Sequence, residues 1–152
     1  MYTGTYPATM DENGRIKIPR KFQVLMELHD EYRFIIILGF HKNLCLYPRR
    51  EWTKFQRQLE SSTRLDPDTQ DFFRILYGSM TDVTVTDQGR ITIPAALRDM
   101  IHAEHDVMLI GVMDHLELWS RAEWDAYCAA SQGKYREMVA KILGGESDET
   151  MK

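Results

Sequence analysis

The chain repeats itself. Gly14-Arg15-Ile16-Lys17-Ile18-Pro19 returns 75 residues later as Gly89-Arg90-Ile91-Thr92-Ile93-Pro94. At a shift of 72, Ile35-Ile36-Ile37-Leu38-Gly39 is answered by Val107-Met108-Leu109-Ile110-Gly111, and Leu44-x-Leu46-Tyr47-x-Arg49-x-Glu51-Trp52 by Leu116-x-Leu118-Trp119-x-Arg121-x-Glu123-Trp124. Such a repeat is one supersecondary unit used twice. Each half holds only about half of the 152 residues and few apolar strands, too little for a comfortable core of its own. The unpaired strand edges of one half gain by pairing with those of its twin. The expected fold is therefore mixed β/α: a closed β-barrel of interleaved hairpins with pseudo-two-fold symmetry and peripheral helices.

Local signals fill in each copy. Thr5 to Met10 and Arg15 to Ile18 read as strands joined by Asp11-Glu12-Asn13-Gly14, where Asn-Gly supplies the positive φ angles of a tight hairpin. Pro19 suits the start of a short helix, Arg20 to Glu27, because its missing N–H has no partner there in any case. Arg33 to Leu38 is a continuous apolar run expected of a strand covered on both faces, and Leu44 to Tyr47 follows it as a hairpin. From Arg49 to Ser61, Trp52, Phe55 and Leu59 recur at helical spacing with Arg50, Lys54 and Arg57 elsewhere on the wheel, so these aromatics read as core packing. In the second copy Ser120 and Glu123 fit a capping box ahead of Trp124, Tyr127 and Cys128. Between the copies, Asp66-Pro67-Asp68 opens a helix from about Thr69 to Tyr77.

Composition excludes several classes. Cys45 and Cys128 form no Cys-x-x-Cys pattern, which predicts a reduced cytosolic protein without a zinc site. No apolar run approaches the ~20 residues of a membrane span, and the first residues carry no basic-then-apolar signal. The net charge of −4 hides a sign difference: residues 1 to 58 hold ten Lys/Arg against six Asp/Glu, and residues 59 to 152 hold nine against seventeen. The front of the chain is basic, and part of the acidity sits in the terminal run 144–152, which reads as a disordered tail.

Alternation sends Ile16 and Ile18 inward and places Arg15 and Lys17 together on the outer face, with Arg90 and Thr92 at the equivalent positions. Arg20 and Lys21 add charge at the next helix start, where the helix dipole does not favour cations. A polyanion does. Gly14 and Gly89 allow close backbone approach, Asn13 and the arginines offer hydrogen bonds, and an arginine on a two-stranded ribbon in the major groove can bond guanine O6 and N7 together. The residues alone leave this reading open beside a second one, in which Asp11 and Arg15 form an exposed ion pair worth at most ~1 kcal/mol and the repeat persists for folding.

The double pattern, with Asp11-x-x-x-Arg15 and Gly89-Arg90-Ile91-x-Ile93-Pro94, each followed by Leu-x-Leu-[Tyr/Trp]-x-Arg-x-Glu-Trp, resembles the MraZ family of bacterial regulators over residues 1 to about 143. The resemblance implies a SpoVT/AbrB-like swapped-hairpin barrel: a first repeat at 1–62, a helical linker at 63–77, a second repeat at 78–143 and the tail at 144–152. It also implies a cytoplasmic, nucleoid-associated transcription factor of a division and cell-wall gene cluster, needing no cofactor. The partners implied are double-stranded promoter DNA, read at spaced G-rich boxes, and further copies of itself in a ring. The Asp-x-x-x-Arg motif carries over onto Asp11 and Arg15. In the second copy Thr86 stands where the aspartate is expected and Asp87 falls one residue late, so Asp87 can orient Arg90 only from a different backbone position.

Rival readings have thinner support. An enzyme built on an Asp11/Asp87 dyad lacks the Asp-Thr/Ser-Gly context of aspartic proteases. His102-x-x-His105 has Glu104 as its only near further ligand, and His41 and His115 read as loop residues without a nucleophile. An antitoxin-like protein-interaction module is disfavoured by the short tail after Leu143.

Overall fold

The computed structural model describes residues 1–61 and 65–144, and the chain divides into two units, Met1–Arg121 and Ala122–Lys152. Residue 62, the last of the expected first repeat, residues 63–64 of the expected linker and 145–152 of the expected tail lie outside the described residues. The first unit runs β1 (Tyr2–Thr9), β2 (Arg15–Lys17), α1 (Arg20–His29), β3 (Arg33–Leu38), β4 (Asn43–Pro48), α2 (Arg49–Ser61), α3 (Pro67–Ser79), β5 (Thr81–Thr84), β6 (Arg90–Thr92), α4 (Ala95–Met100), β7 (Asp106–Met113) and β8 (His115–Ser120). The second holds α5 (Arg121–Ser131), which opens on the last residue of the first unit, then α6 (Lys134–Val139) and a π-helical turn, Ala140–Gly144. Within α5, the Trp124 and Tyr127 rings stack with centroids 5.7 Å apart.

Element ends differ from the sequence reading, at β1 because a distant partner decides them and at α1 and α3 because local caps do. β1 starts at Tyr2 instead of Thr5 because β7 pairs with it along its whole length, from Tyr2 opposite Met113 to Thr9 opposite Asp106. Pro7 is tolerated because β1 is an edge strand. α1 begins at Arg20 after Pro19 and runs two residues beyond Glu27, to a left-handed Asp30 at φ 50°. α3 begins at Pro67, because the Asp66 side chain accepts the Thr69 N–H at 2.7 Å and caps the first turn.

Six strands form one antiparallel sheet in the order β1-β7-β8-β4-β3-β5, and β2 and β6 form a separate ribbon. The copies interleave as their edges require: the first strand of each leaves its own repeat and pairs with the other's, β1 with β7 and β5 with β3. A continuous closed barrel is not found. β2 and β6 are only three residues long, since Pro19 and Pro94 end them, and the β1–β2 hairpin keeps a single bridge, Met10 to Ile16.

Two pairs of residues face their own repeat equivalents and so mark the pseudo-two-fold axis. They are Ile16 opposite Ile91 in the ribbon and Cys45 opposite Glu117 at the β4–β8 seam. Between these seams lies the main core, in which Ile16, Ile91, Leu44, Leu46, Leu116 and Leu118 are each at most 1% exposed. The opposite face of β3 and β4 carries a smaller core, Ile35, Ile37, Cys45 and Tyr47 under Trp52 of α2 and Leu76 of α3, with Phe55 and Leu59 packed against it. The aromatic stripe of α2 is core packing, as its spacing indicates.

Candidate nucleic-acid interface

Both Gly-Arg strings build the same turn. The Gly14 N–H donates to the Asp11 carbonyl at 3.0 Å and the Gly89 N–H to the Thr86 carbonyl at 2.8 Å, while the Asp11 and Thr86 N–H groups donate to the Arg15 and Arg90 carbonyls. In these turns only the glycines have positive φ, 81° and 76°. Each is therefore a type I turn closed by a glycine bulge, not the two-residue turn that Asn-Gly predicts. The cause in the first copy is Asp11, whose Oδ1 accepts the N–H of both Asn13 and Arg15 at 2.9 Å and fixes the wider loop. The turns also clamp one another: the Ile18 N–H donates to the Gly89 carbonyl and the Ile93 N–H to the Gly14 carbonyl, both at 2.8 Å.

The ribbon aligns Arg15 with Thr92, Ile16 with Ile91 and Lys17 with Arg90. The isoleucines are buried, and Arg15, Lys17, Arg90 and Thr92 are exposed on one face, as the alternation predicts. Lys17 stands directly across from Arg90, and Arg15 is diagonal to Arg90, roughly 7–8 Å away between Cα atoms. Like charges directly opposed weaken a ladder, and among the described residues Lys17 makes no ion pair. Folding alone does not account for this arrangement.

Arg15 is aimed. Its Nε donates to Asp11 Oδ2 at 2.7 Å, with the two side chains 52% and 43% exposed. The Arg15 backbone N–H foremost, then its guanidinium and the Asn13 N–H, hold the Asp11 carboxyl below its ordinary value. An ion pair this exposed adds little stability, because solvent screens it. Its larger effect is directional, since engaging Nε leaves the two Nη groups without a protein partner among the described residues. In the second turn Thr86 Oγ1 accepts the Arg90 N–H at 3.1 Å, so the threonine supplies the backbone half of the aspartate's work. Arg90 Nη1 instead donates to Gln88 Oε1 at 3.1 Å. Asp87 is exposed and makes no bond to Arg90.

The remaining predicted residues spread outward from this face. Asn13 is exposed and is held only through its backbone N–H. Arg20 Nη1 pairs with Glu27 Oε1 at 2.8 Å, and Lys21 Nζ reaches Thr3 Oγ1 at 3.1 Å and lies 5.9 Å from the Tyr6 ring centroid. The equivalent positions in the second copy are Ala95 and Ala96, so the charge is lopsided about the axis. Asp11 and Asp87 stand on separate turns and share no hydrogen bond. His105 Nδ1 lies 3.0 Å from the Met10 carbonyl oxygen, bound into the fold and not to a metal pair with His102. Among the described residues no helix is long and apolar enough to cross a membrane. The fold also gathers Cys45, His115 and Glu117, a group that no metal-binding motif in the sequence announces.

A family model described as "MraZ protein, putative antitoxin-like" matches residues 1–75 and again 76–141. Among curated relatives, "Transcriptional regulator MraZ" of Halothermothrix orenii is 34% identical over 142 residues, covering 93% of this chain and 96% of that protein. The protein of the same name from Syntrophomonas wolfei is 31% identical over 143 residues, covering 94% and 97%. That from Moorella thermoacetica is 29% identical over 143 residues, again covering 94% and 97%. With its two repeats matched in turn and its relatives aligned almost end to end, this chain belongs to the MraZ family.

Proposed function

We propose that this chain is a sequence-specific DNA-binding transcriptional regulator that grips duplex DNA with the β2–β6 ribbon. The observation that carries the reading is the exposed face on which Lys17 and Arg90 stand opposed with no ion pair among the described residues, beside an Arg15 whose Nε alone is engaged by Asp11. A phosphate between such cations relieves a repulsion that the protein alone does not. Arg15, positioned by Asp11, is the reader of guanine; Arg90 is a second and less fixed reader; Lys17, Arg20 and Lys21 meet phosphates. Asn13 and Thr92 supply neutral hydrogen bonds, the buried Gly14 and Gly89 clamp the two tips together instead of opening their backbone to DNA, and Asp87 shapes the rim of the second turn. The scaffold is read as a swapped-hairpin fold, with repeats at 1–62 and 78–143, its circuit completed by hairpin turns and the ribbon. The names of the relatives support regulation of transcription. Family membership extends the proposal to a ring of copies on spaced G-rich boxes at a division and cell-wall promoter.

Selection of bound duplexes from random DNA, followed by anisotropy titration, tests this. Arg15→Ala is expected to cost about 1–3 kcal/mol on the selected duplex. If five cations per chain meet phosphates, log K falls against log salt with a slope of about −4.5 per chain. Unchanged affinity in the variant, or binding indifferent to salt, overturns the assignment. Mass in solution tests the ring separately.

A further inference from the structure

We infer that Cys45, His115 and Glu117 form a binding site for a divalent transition metal of zinc's class, one ion per chain. Cys45 Sγ, a ring nitrogen of His115 and a carboxylate oxygen of Glu117 all lie within 4.8 Å of one another. A tetrahedral ion with bonds of about 2.0–2.3 Å spaces its donors about 3.3–3.8 Å apart, so closure takes a side-chain adjustment of about 1 Å. His115 Nε2 and Glu117 Oε2 already stand 3.8 Å apart.

The donors are held ready by groups outside the triad. His115 Nδ1 lies 2.7 Å from Asp114 Oδ1, which turns Nε2 toward Glu117 and Cys45; a carboxylate behind a histidine is the usual outer support of a metal-bound imidazole. Trp119 Nε1 donates to Glu117 Oε1 at 2.9 Å and leaves Oε2 for the triad. The Tyr47 ring stacks on the imidazole with centroids 4.4 Å apart and fixes its plane. The partly exposed Glu117 side chain keeps a route for an ion. Binding releases the Cys45 thiol proton to solvent, and the resulting thiolate with the Glu117 carboxylate balances a dication. One sulfur and one imidazole select zinc-class ions over magnesium or calcium, and solvent takes the fourth position. The absence of a Cys-x-x-Cys motif does not bear on this site, because its ligands come from strands paired across the β4–β8 seam.

The test uses tag-free, metal-stripped full-length protein titrated with Co²⁺ and then Zn²⁺. The expected result is one equivalent of Co²⁺ per chain with a thiolate-to-cobalt charge-transfer band that Zn²⁺ abolishes. The band disappears in Cys45→Ala and persists in Cys128→Ser, which removes the exposed cysteine. Asp114→Asn, on a partly exposed side chain, keeps the fold by circular dichroism and weakens Co²⁺ binding about 10- to 100-fold. No stoichiometric binding by the wild-type chain, a band that survives Cys45→Ala, or full affinity in Asp114→Asn each overturns the site.

Discussion

Replacing Asp11 by Asn tests whether the carboxylate positions Arg15, because charge and positioning act with opposite signs. Asn keeps an oxygen for the Asn13 and Arg15 N–H groups, which Asp11 binds at 2.9 Å, but presents an N–H donor where Oδ2 now accepts Arg15 Nε at 2.7 Å. Charge alone favours the variant. A carboxylate roughly 7 Å from a DNA phosphate repels it by about 0.6 kcal/mol in water, and screening at physiological salt cuts that to roughly 0.25 kcal/mol. Positioning favours the wild type, since immobilising a long side chain at the moment of binding costs about 0.5–1.5 kcal/mol that Asp11 has already met. The second effect wins, and Asp11→Asn is expected to bind its selected duplex about 1.5- to 8-fold more weakly. The assay is an anisotropy titration at fixed salt, with Arg15→Ala as the floor and circular dichroism confirming the fold. Binding equal to or tighter than wild type would falsify the positioning role of Asp11 and leave its carboxylate as a turn-builder only.

Thr86→Asp installs the missing carboxylate in the second turn and is expected to tighten binding by a similar factor of about 1.5 to 8, provided Arg90 meets a base. No gain in the same titration assigns Arg90 to phosphate alone. Gly14→Ala is expected to cost about 2 kcal/mol or more, because it places a Cβ at positive φ and 2.5 Å from the Ile93 carbonyl oxygen. Gly89→Ala meets the movable Gln23 side chain and should cost nearer 1–2 kcal/mol; equal or reversed losses in thermal unfolding would contradict this difference between a backbone and a side-chain neighbour. The Asp11 carboxyl is lowered in the folded state, so its contribution is present above the unfolded value near pH 4 and is lost as pH falls through the folded one. Below about pH 4 the melting temperature should therefore fall more steeply in wild type than in Asp11→Asn, and parallel acid limbs would refute this.

What could be read from the chain was what neighbouring residues decide among themselves. The direction of Arg15 and Lys17 follows from two-residue alternation, and the helix at Asp66-Pro67 from a local cap, so both were visible in advance. The start of β1 at Tyr2 was hidden because β7 sets it. Turn geometry departs from what Asn13-Gly14 signals locally, because the Asp11 side chain overrides that signal with two backbone bonds. Opposition of Lys17 to Arg90 depends on the swap of strands between copies, which the repeat suggests without fixing its register. The group around Cys45 left one trace in the sequence: Cys45 and Glu117 differ by the repeat shift, and equivalent residues can meet only on the axis of the repeat.

Joining two copies in one polypeptide lets them drift apart. Two identical subunits would present matched tips and ask for a palindrome, but here one tip holds its arginine with a carboxylate and the other with an amide. If the proposed function holds, a duplex seated on such a pair has a left and a right, and each bound molecule carries an arrow along the DNA. Successive target sites should then run head to tail, all pointing one way.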